Sequence, residues 1–331
     1  MRTTLLGPDD VRAHADLPSV IDAVASAFAA DARGDTIMPA KSYIDLPEYN
    51  GDFRSMPAYV HAVEWDAAAV KWVNVHPDNP ADHDLPTVLG TLIYSDPETA
   101  FPLAVMDGTV LTQLRTGAAA AVATDRLAVA DADSLGLVGA GVQSYTQLEA
   151  IATVRDIERV VVADRNGAKQ QAFVDRFGDR FDVTPGSIAE AAACDVLSTI
   201  TPVGSPIVDR EWLGEHTHIN AIGADAAGKH EHDDQTLLDA KLVIDNYEQC
   251  THSGEINVPW SEGVLTDDDI YGELGAIVAG DVAGRTNADG LTLFDSTGLA
   301  IQDVAASHVA YESAQAAGDG TAFSLVGTRT R

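Results

Sequence analysis

The segment at residues 139–144, GAGVQS, carries the most specific chemical pattern in the sequence. An apolar run at 135–138 leads into Gly139 and Gly141, and a helix-like segment follows. In a strand–turn–helix unit the first glycine permits a tight turn, and the second lets the backbone approach a pyrophosphate at the positive end of the helix. Ser144 stands where a third Gly or Ala is usual. The spacing predicts a dinucleotide site, although glycines alone would fit any strand-to-helix turn.

An acidic residue beyond these glycines favours NAD as the dinucleotide. Asp164 ends the next strand-like segment, 159–163, roughly 20 residues further on, where a carboxylate binds the adenosine ribose hydroxyls. Its charge would repel the 2′-phosphate of NADP. The neighbouring Arg165 could instead stack on adenine or accept that phosphate, so NADP stays the alternative.

Three cations upstream of this segment could bind a carboxylate: Arg54, Lys71 and Arg115. Guanidinium groups suit a carboxylate through bidentate hydrogen bonds. In a strand, Lys71 shares its face with Ala69 and Val73, and desolvation on such an apolar face lowers the pKa of a lysine. Each cation alone could equally form a structural ion pair. Three of them in so acidic a chain favour a substrate site.

A carboxylate completes the predicted catalytic set. Asp225 lies just past the strand-like segment 218–222, and catalytic groups of a doubly wound sheet lie at the carboxyl ends of its strands. There it could exchange a proton with a substrate amine or a bound water. His216, His218 and the run at 229–234 have metal-ligand residue types. We interpret the two histidines as strand residues and the run as a polar loop after the strand, and we predict no metal.

The elements before these motifs predict an α+β domain. A helix at about 16–34, with a capping Asp and a closing Gly, is followed by short extended segments up to 106 that turn residues separate. This pattern is typical of a mostly antiparallel or mixed sheet. An alanine-rich helix follows at about 111–127, and a helix at about 300–317 could pack back on this domain.

From residue 131 strands and helices alternate, which implies βαβ units and a parallel sheet. The predicted fold class is therefore α/β, with a doubly wound Rossmann domain inserted in a second domain. We predict the NAD-binding Rossmann domain at 126–296. Residues 1–125 and 297–331 would form the α+β substrate-binding and dimerisation domain.

The formal net charge of −31 bears on partners and conditions. Acidic residues are spread along the chain, as expected for a folded, halophilic protein whose self-repulsion is screened by concentrated salt. The charge argues against nucleic acid and anionic membranes as partners. With no apolar run of ~20 residues and no signal-peptide pattern, we expect a cytoplasmic location.

Several short segments form a combination that is specific for one family: RSMPAY, KWVNVHP with LPTV downstream, LRTGAA, GAGVQS, NAIGAD with GK, SGEINV and FDSTGLAIQDV. Over nearly its whole length the sequence resembles the ornithine cyclodeaminase/mu-crystallin family, and within it the archaeal-type alanine dehydrogenases. The resemblance implies reversible oxidative deamination of L-alanine to pyruvate and ammonia with NAD. It also implies a homodimer in which the sheets of the first domain close into a barrel.

The resemblance leaves other activities open. An ornithine cyclodeaminase would convert L-ornithine to L-proline and ammonia, with NAD as an internal hydride carrier. A ketimine reductase would act on cyclic imines, and an NAD(P)-binding crystallin-like protein would hold the cofactor without turnover. In every case the partner is a small amino acid, 2-oxo acid or imine.

The resemblance also assigns roles to single residues. Lys71 and Asp225 match catalytic positions, and Arg54, Lys71 and Arg115 match substrate-binding positions. Arg115 is expected to contact the cofactor too, and Gly139, Gly141 and Arg165 join the cofactor set from the pattern above. The remaining positions that match cofactor contacts are Thr87, Thr116, Val142, Gln143, Asp164, Thr201, Asn220, Ala221, Ile222, Gly228 and Ser296.

Overall fold

The structure is a computed structural model that describes residues 1–327. The chain divides into two compact units. The first is formed by Met1–Arg115 with the described residues from Leu299 onward, and the second by Thr116–Gly298, which is thus inserted in the first. Residues 328–331, which the sequence assigned to the first domain, lie outside the described part of the chain.

The strands, in chain order, are β1 (Thr3–Leu6), β2 (Thr36–Ile37), β3 (Ser42–Leu46), β4 (Gly51–His61), β5 (Asp66–Val75), β6 (Val88–Ser95), β7 (Pro102–Asp107), β8 (Ser134–Val138), β9 (Arg159–Ala163), β10 (Asp182–Pro185), β11 (Val196–Thr199), β12 (His218–Ala221), β13 (Lys241–Ile244), β14 (Ile270–Glu273), β15 (Thr292–Asp295) and β16 (Thr321–Phe323). The helices are α1 (Pro8–His14), α2 (Leu17–Ala32), α3 (Asn79–Asp82), α4 (Gly108–Leu127), α5 (Val142–Ile151), α6 (Gly167–Phe177), α7 (Ile188–Ala192), α8 (Asp234–Asp239), α9 (Tyr247–Ser253), α10 (Asn257–Ser261), α11 (Leu274–Ala279) and α12 (Ala300–Ala317). Within residues 1–327, the structure contains no helix with the length and apolar character that a membrane crossing requires.

The first unit is built on a mixed sheet. Its strands follow the order β16-β1-β7-β6-β5-β4-β2, with β3 paired to β4. β1 runs parallel to β7, and the other pairs are antiparallel. Burial alternates along β4 and β5, so one face of the sheet is covered, and helix α12 packs on these strands and on α2. The expected mostly antiparallel or mixed sheet is confirmed.

Local signals in the sequence explain the helices that cover this sheet. Asp16 caps α2 by accepting the N–H of Ser19 at 3.1 Å, and Pro18 stands in the first turn. α12 spans the predicted residues and ends at Gly318, whose φ of 73° closes the helix. Residues 300–307 are all buried. The start of α12 is therefore buried on all sides in the core and is not an amphipathic helix with one exposed face.

The second unit is a doubly wound parallel sheet in the order β10-β9-β8-β11-β12-β15-β13-β14. All of its strand pairs run parallel. Every residue of β8, β11, β12 and β15 is buried, as expected for strands covered by helices on both faces. The strand order reverses direction between β8 and β11, which is the switch point where such sheets bind ligands. The predicted α/β class with a Rossmann domain is confirmed.

Two arginines close the C-terminal end of α4 inside the second unit. Arg155 donates to the carbonyl oxygens of Thr124 at 3.0 Å and Asp125 at 2.9 Å, and Arg285 donates to that of Leu127 at 3.0 Å. The last carbonyls of a helix lack internal partners and carry partial negative charge, so cations stabilise them. Scarce basic residues are thus used to terminate the longest helix of the described chain.

Candidate active site

Lys71 is fully buried in the first unit. Ala69, Lys71 and Val73 lie on the buried face of β5, and 1 % of Lys71 is exposed. Its Nζ donates to Asp303 Oδ1 at 2.7 Å and to Thr112 Oγ1 at 3.1 Å. Burial lowers the pKa of Lys71 to about 7, although the Asp303 carboxylate opposes this effect. The lysine can therefore gain or lose a proton near neutral pH.

A second cation shares the same carboxylate. Arg115 on α4 has its Nε 3.3 Å from Asp303 Oδ1, and its Nη1 donates to Gln302 Oε1 at 3.1 Å. Asp303 Oδ2 is buried and has no hydrogen-bond partner among residues 1–327. With Lys71 protonated, two cations face one carboxylate, so the cluster carries surplus positive charge and suits an anionic ligand.

The third predicted cation lies on the same face of the sheet. Arg54 on β4 is 8 % exposed, and its Nη2 lies 2.9 Å from Asp52 Oδ2. Its guanidinium stands 5.4 Å from the ring centre of Tyr43. Arg54 pairs with Val73, two residues from Lys71, which separates the Cα atoms of the two cations by roughly 7–8 Å. The sheet thus brings Arg54 and Lys71 to one buried face.

Sequence reasoning missed the residues that hold Lys71 and Arg115, which are Asp303, Gln302 and Thr112. One signal was present, because Asp303 falls inside the apolar start of the last helix, and a buried carboxylate needs a partner. No local pattern identifies that partner, since Lys71 lies 232 positions away in the sequence.

The second unit holds the glycine segment at the end of β8. Gly139 has a φ of 106°, and a Cβ there would lie 2.9 Å from the Ile200 carbonyl oxygen, so the tight turn requires glycine. Gly141 precedes α5 without a side-chain cap, and a Cβ on it would meet nothing within 4 Å. The N-terminus of α5 is therefore open to a phosphate.

The residues around this segment fit a dinucleotide. Asp164 follows β9, and its Oδ2 accepts the N–H of Ala140 at 2.8 Å, while Arg165 is exposed. Gln143 Oε1 is buried without a hydrogen-bond partner in the described chain. Val142 is 66 % exposed. An orphaned acceptor and an exposed apolar side chain beside an open helix N-terminus are typical of a site that a ligand completes.

Three predicted residues lie in the loops that follow β11 and β12. Thr201 donates its N–H and its hydroxyl to Glu231 Oε1 at 2.8 and 2.6 Å. The Asp225 carboxylate is 30 % exposed and forms an ion pair with Lys229. Gly228, with a φ of 83°, takes a backbone conformation that favours glycine. All three stand at the carboxyl edge of the parallel sheet, where a doubly wound fold binds its ligand.

The side chain of Asn220 is used inside the second unit. It donates to Thr124 Oγ1 at 3.0 Å and lies 3.2 Å from His218 Nε2. Burial lowers the pKa of His218 to about 3, so this histidine is a neutral member of a buried hydrogen-bond chain. Ala221 and Ile222 complete the run at the end of β12. Within residues 1–327 no three His, Cys, Asp or Glu side chains are grouped to hold a metal ion.

The last predicted cofactor residues take part in backbone hydrogen bonds. Ser296, just after β15, donates its N–H to the Ala221 carbonyl at 3.1 Å. Thr116 on α4 accepts from Gln147 Nε2 at 3.3 Å through its carbonyl oxygen. In the first unit, Thr87 precedes β6, and its carbonyl accepts the N–H of His76 at 2.8 Å.

The sequence profile of the ornithine cyclodeaminase/mu-crystallin family matches residues 1–318. The chain belongs to this family, as predicted. It is similar to the alanine dehydrogenase of Archaeoglobus fulgidus, with 44% identity over 315 residues that make up 95% of this chain and 96% of the relative.

Two solved structures of the family are similar to this one. An archaeal alanine dehydrogenase dimer with bound NAD has a TM-score of 0.93 and 43% identity, over 98% of this chain and 100% of that one. The Δ1-pyrroline-2-carboxylate reductase of Thermococcus litoralis, in complex with NADH and L-proline, has a TM-score of 0.92 and 37% identity, over 96% and 99% of the two chains. The family fold therefore extends over both units.

Proposed function

We propose that this protein is an NAD-dependent L-alanine dehydrogenase. L-alanine, NAD⁺ and water would give pyruvate, ammonium, NADH and a proton, and the reaction is reversible. The observation that carries the proposal is the buried cluster in which Asp303 holds Lys71 and Arg115, because it combines surplus positive charge with a lysine that titrates near pH 7. The similarity to an alanine dehydrogenase supports the choice of substrate.

Arg54 and Arg115 bind the substrate carboxylate in this proposal. Both are almost fully buried, and charge-assisted hydrogen bonds are stronger away from water. Arg115 Nη1 donates to the neutral amide oxygen of Gln302. A charged substrate carboxylate is a stronger acceptor than that amide oxygen. A substrate held at its carboxylate has a fixed orientation of the Cα–H bond, which lowers the entropic part of the barrier.

Lys71 moves a proton at the oxygen bound to the reacting carbon. In the oxidative direction, after water has added to the imine, its neutral amine accepts the hydroxyl proton as the C–N bond breaks, ammonia leaves and the carbonyl forms. In the reverse direction its ammonium polarises the carbonyl of pyruvate. A pKa of about 7 gives the charged and neutral forms comparable populations at neutral pH. One residue can therefore serve both directions.

Asp225 activates the water that releases ammonia. Only an ionised carboxylate can accept a proton from that water. Lys229, paired with Asp225, supplies a compensating positive charge. A carboxylate at the carboxyl edge of the sheet is where a doubly wound fold places its chemistry.

In this proposal the second unit would hold NAD, which would supply the hydride acceptor for Cα. Gly139 and Gly141 admit its pyrophosphate to the N-terminus of α5, and Asp164 binds the adenosine ribose and disfavours NADP through its charge. The open space at Gly141 and the orphaned acceptor of Gln143 support this assignment. Further proposed contacts are Thr87, Arg115, Thr116, Val142, Arg165, Thr201, Asn220, Ala221, Ile222, Gly228 and Ser296.

The protein is proposed to act as a homodimer in concentrated salt. On the sheet face opposite Lys71, Trp72 is 44 % and Ile93 38 % exposed, and Phe53 stacks on Trp72 with ring centres 5.1 Å apart. Such an apolar patch is typical of an interface, and a similar structure is a dimer. The net charge of −31 supports the requirement for salt, which screens repulsion.

The test is an absorbance assay of NADH, run at low and at molar salt. NADH formation with L-alanine, and its consumption with pyruvate and ammonium, is the expected result. Ammonia release from L-ornithine without net NADH would identify a cyclodeaminase instead. Tight NAD binding with no turnover of any amino acid or imine would identify a binding protein, and a preference for NADP would refute the assignment of the cofactor.

A reductase of cyclic imines is the second candidate, favoured by the similarity to the Thermococcus litoralis enzyme. Its substrate carries the same carboxylate, so Arg54 and Arg115 would serve equally. Reduction of a preformed imine needs no water, so Asp225 would have no water to activate. Comparing Δ1-pyrroline-2-carboxylate with pyruvate plus ammonium in the wild type and in Asp225→Asn separates the two candidates. Only the imine reductase keeps its activity in the variant.

A further inference from the structure

A series of buried carboxylates connects the loops at the carboxyl edge of the second unit's sheet. Asp245, directly after β13, accepts the N–H of Thr297 at 2.7 Å. Asp295, the last residue of β15, accepts the N–H groups of Glu255 at 2.9 Å and Ile256 at 3.2 Å. Each carboxylate is at most 2 % exposed. Backbone amides therefore donate hydrogen bonds to both carboxyl groups.

The series continues to the loops that contain predicted cofactor residues. Glu255 Oε1 accepts the N–H groups of Glu231 and His232, both at 2.7 Å. Glu231 Oε1 accepts the N–H and the hydroxyl of Thr201, and its Oε2 accepts the N–H of Gly223 at 3.1 Å. Glu231 thus ties the loop after β11 to the loop after β12, and it is itself fully buried.

The two loops meet so closely that Gly223 has no room for a side chain. A Cβ on Gly223 would collide with Glu231 Oε2 and would lie 2.6 Å from the backbone nitrogen of Thr201. Asp225 follows two residues later. The contact made by Glu231 therefore fixes the start of the loop that carries the proposed base.

These loops lie on one side of the switch point. The glycine segment follows β8, and Asp164 follows β9. The loops held by Glu231 follow β11 and β12, which lie on the other side of the switch point along the strand order. A dinucleotide that crosses the switch point has its adenosine half toward β9, so its nicotinamide half faces the loops held by Glu231.

We propose that Glu231 is a positioning residue, which holds the nicotinamide-side loops at a fixed spacing and so keeps Asp225 in place for the reaction. The proposal rests on the proposed dehydrogenase function. It gives a role to Glu231, in the run at 229–234, and to Glu255, in the SGEINV segment, neither of which has one in the chemistry above.

Glu231→Gln is the variant that tests it, because the volume is kept while one acceptor becomes an NH2 donor. In either orientation of the amide, a donor then faces the N–H of Thr201 or of Gly223, and a partly buried N–H loses its partner. Burial, and after it the charge of Glu255, raises the pKa of Glu231 to about 8. Measurements are therefore made at about pH 9, where the wild-type carboxyl is ionised.

We expect kcat for the oxidation of L-alanine to fall roughly 10–100-fold in Glu231→Gln, because one acceptor of the buried side chain is lost. The affinity for NADH should weaken, whereas that for ADP-ribose, which lacks the nicotinamide, should stay within about twofold. Hydrogen exchange of the ligand-free protein should accelerate at 200–203 and 222–228. Gly223→Ala, which forces the same two loops apart, should have the same effects, and the double variant should be little worse than either single variant.

Glu190→Gln is the matched control. Glu190 also accepts a backbone N–H and a hydroxyl, both from Ser187 at 2.7 Å, but at the exposed start of α7. This variant should match the wild type in kcat and in both affinities.

The positioning role is refuted if Glu231→Gln keeps wild-type kcat, NADH affinity and loop exchange, or if NADH and ADP-ribose affinities fall equally with a general loss of stability. A wild type without alanine turnover would refute the proposed dehydrogenase alone. In that case the ratio of NADH to ADP-ribose affinity and the exchange rates still decide the role of Glu231.

Discussion

Replacing Asp303 with Asn is expected to lower the pKa of Lys71 still further. The carboxylate lies 2.7 Å from Nζ, and both side chains are 1 % exposed. An opposite charge at this distance shifts a pKa by about 1–3 units. Starting from about 7, the pKa of Lys71 should fall to roughly 4–6, which corresponds to about 1.4–4 kcal/mol in favour of the neutral amine.

The scarcity of lysine allows a direct measurement. The chain contains five lysines, at 41, 71, 169, 229 and 241. Protein labelled with ¹³C at lysine Cε should give one NMR signal for each, and the signal of Lys71 is the one that disappears in Lys71→Met. Its chemical shift, followed with pH in the wild type and in Asp303→Asn, reports the two pKa values.

Kinetics should show the same shift. In the reductive direction the ammonium of Lys71 is the active form, so the rate falls as pH rises through its pKa, and in Asp303→Asn this fall moves to lower pH. Asp52→Asn is the control, because it removes a carboxylate bound to Arg54 and leaves Lys71 with its partner. A folded Asp303→Asn protein in which Lys71 titrates at an unchanged or higher pH would refute the reasoning.

The remaining predictions concern chemistry, cofactor and salt. Lys71→Met and Asp225→Asn should keep cofactor affinity and lose about 10²–10⁴-fold in kcat, whereas Arg54→Lys should chiefly raise KM for L-alanine. A stable Asp225→Asn enzyme with near-normal kcat would remove Asp225 from the mechanism. Asp164→Asn keeps an acceptor for the glycine segment but loses the charge, so the kcat/KM ratio of NAD to NADP should fall, and an unchanged ratio would contradict its role. The melting temperature should rise between 0.1 M and 1 M salt, as the Debye length shrinks from ~10 Å to ~3 Å, and a constant value would contradict the halophilic interpretation.

The elements that position the site were largely predictable, because their signals are local. The cap at Asp16, the alternation around Lys71 and the turn at Gly139 each depend on a few neighbouring residues. The last helix was predicted from residue 300 to residue 317, as observed. Elements with weak local signals were missed. β1 and β16 are short strands whose place is set by pairing across almost the whole chain.

Within the site, the sequence indicated residue types but not their partners. Lys71 on an apolar face predicted a lowered pKa, and the structure agrees. Its partner Asp303 comes from the far end of the chain, and no periodicity connects the two. Glu231 lies in a run that also suggested metal ligands, and its backbone partners appear only when the loops after β11 and β12 are folded.

The position of Asp303 in the last helix has a consequence for synthesis. Lys71 and Asp303 are 232 positions apart, and at 5–20 residues per second the ribosome needs roughly 10–50 s to add that stretch. Once Arg115 has been added, the nascent chain has both cations but still lacks the carboxylate that holds them together. A chain interrupted before the last helix would thus lack a complete substrate site, and the growing polypeptide acquires that site only after Asp303 has been added.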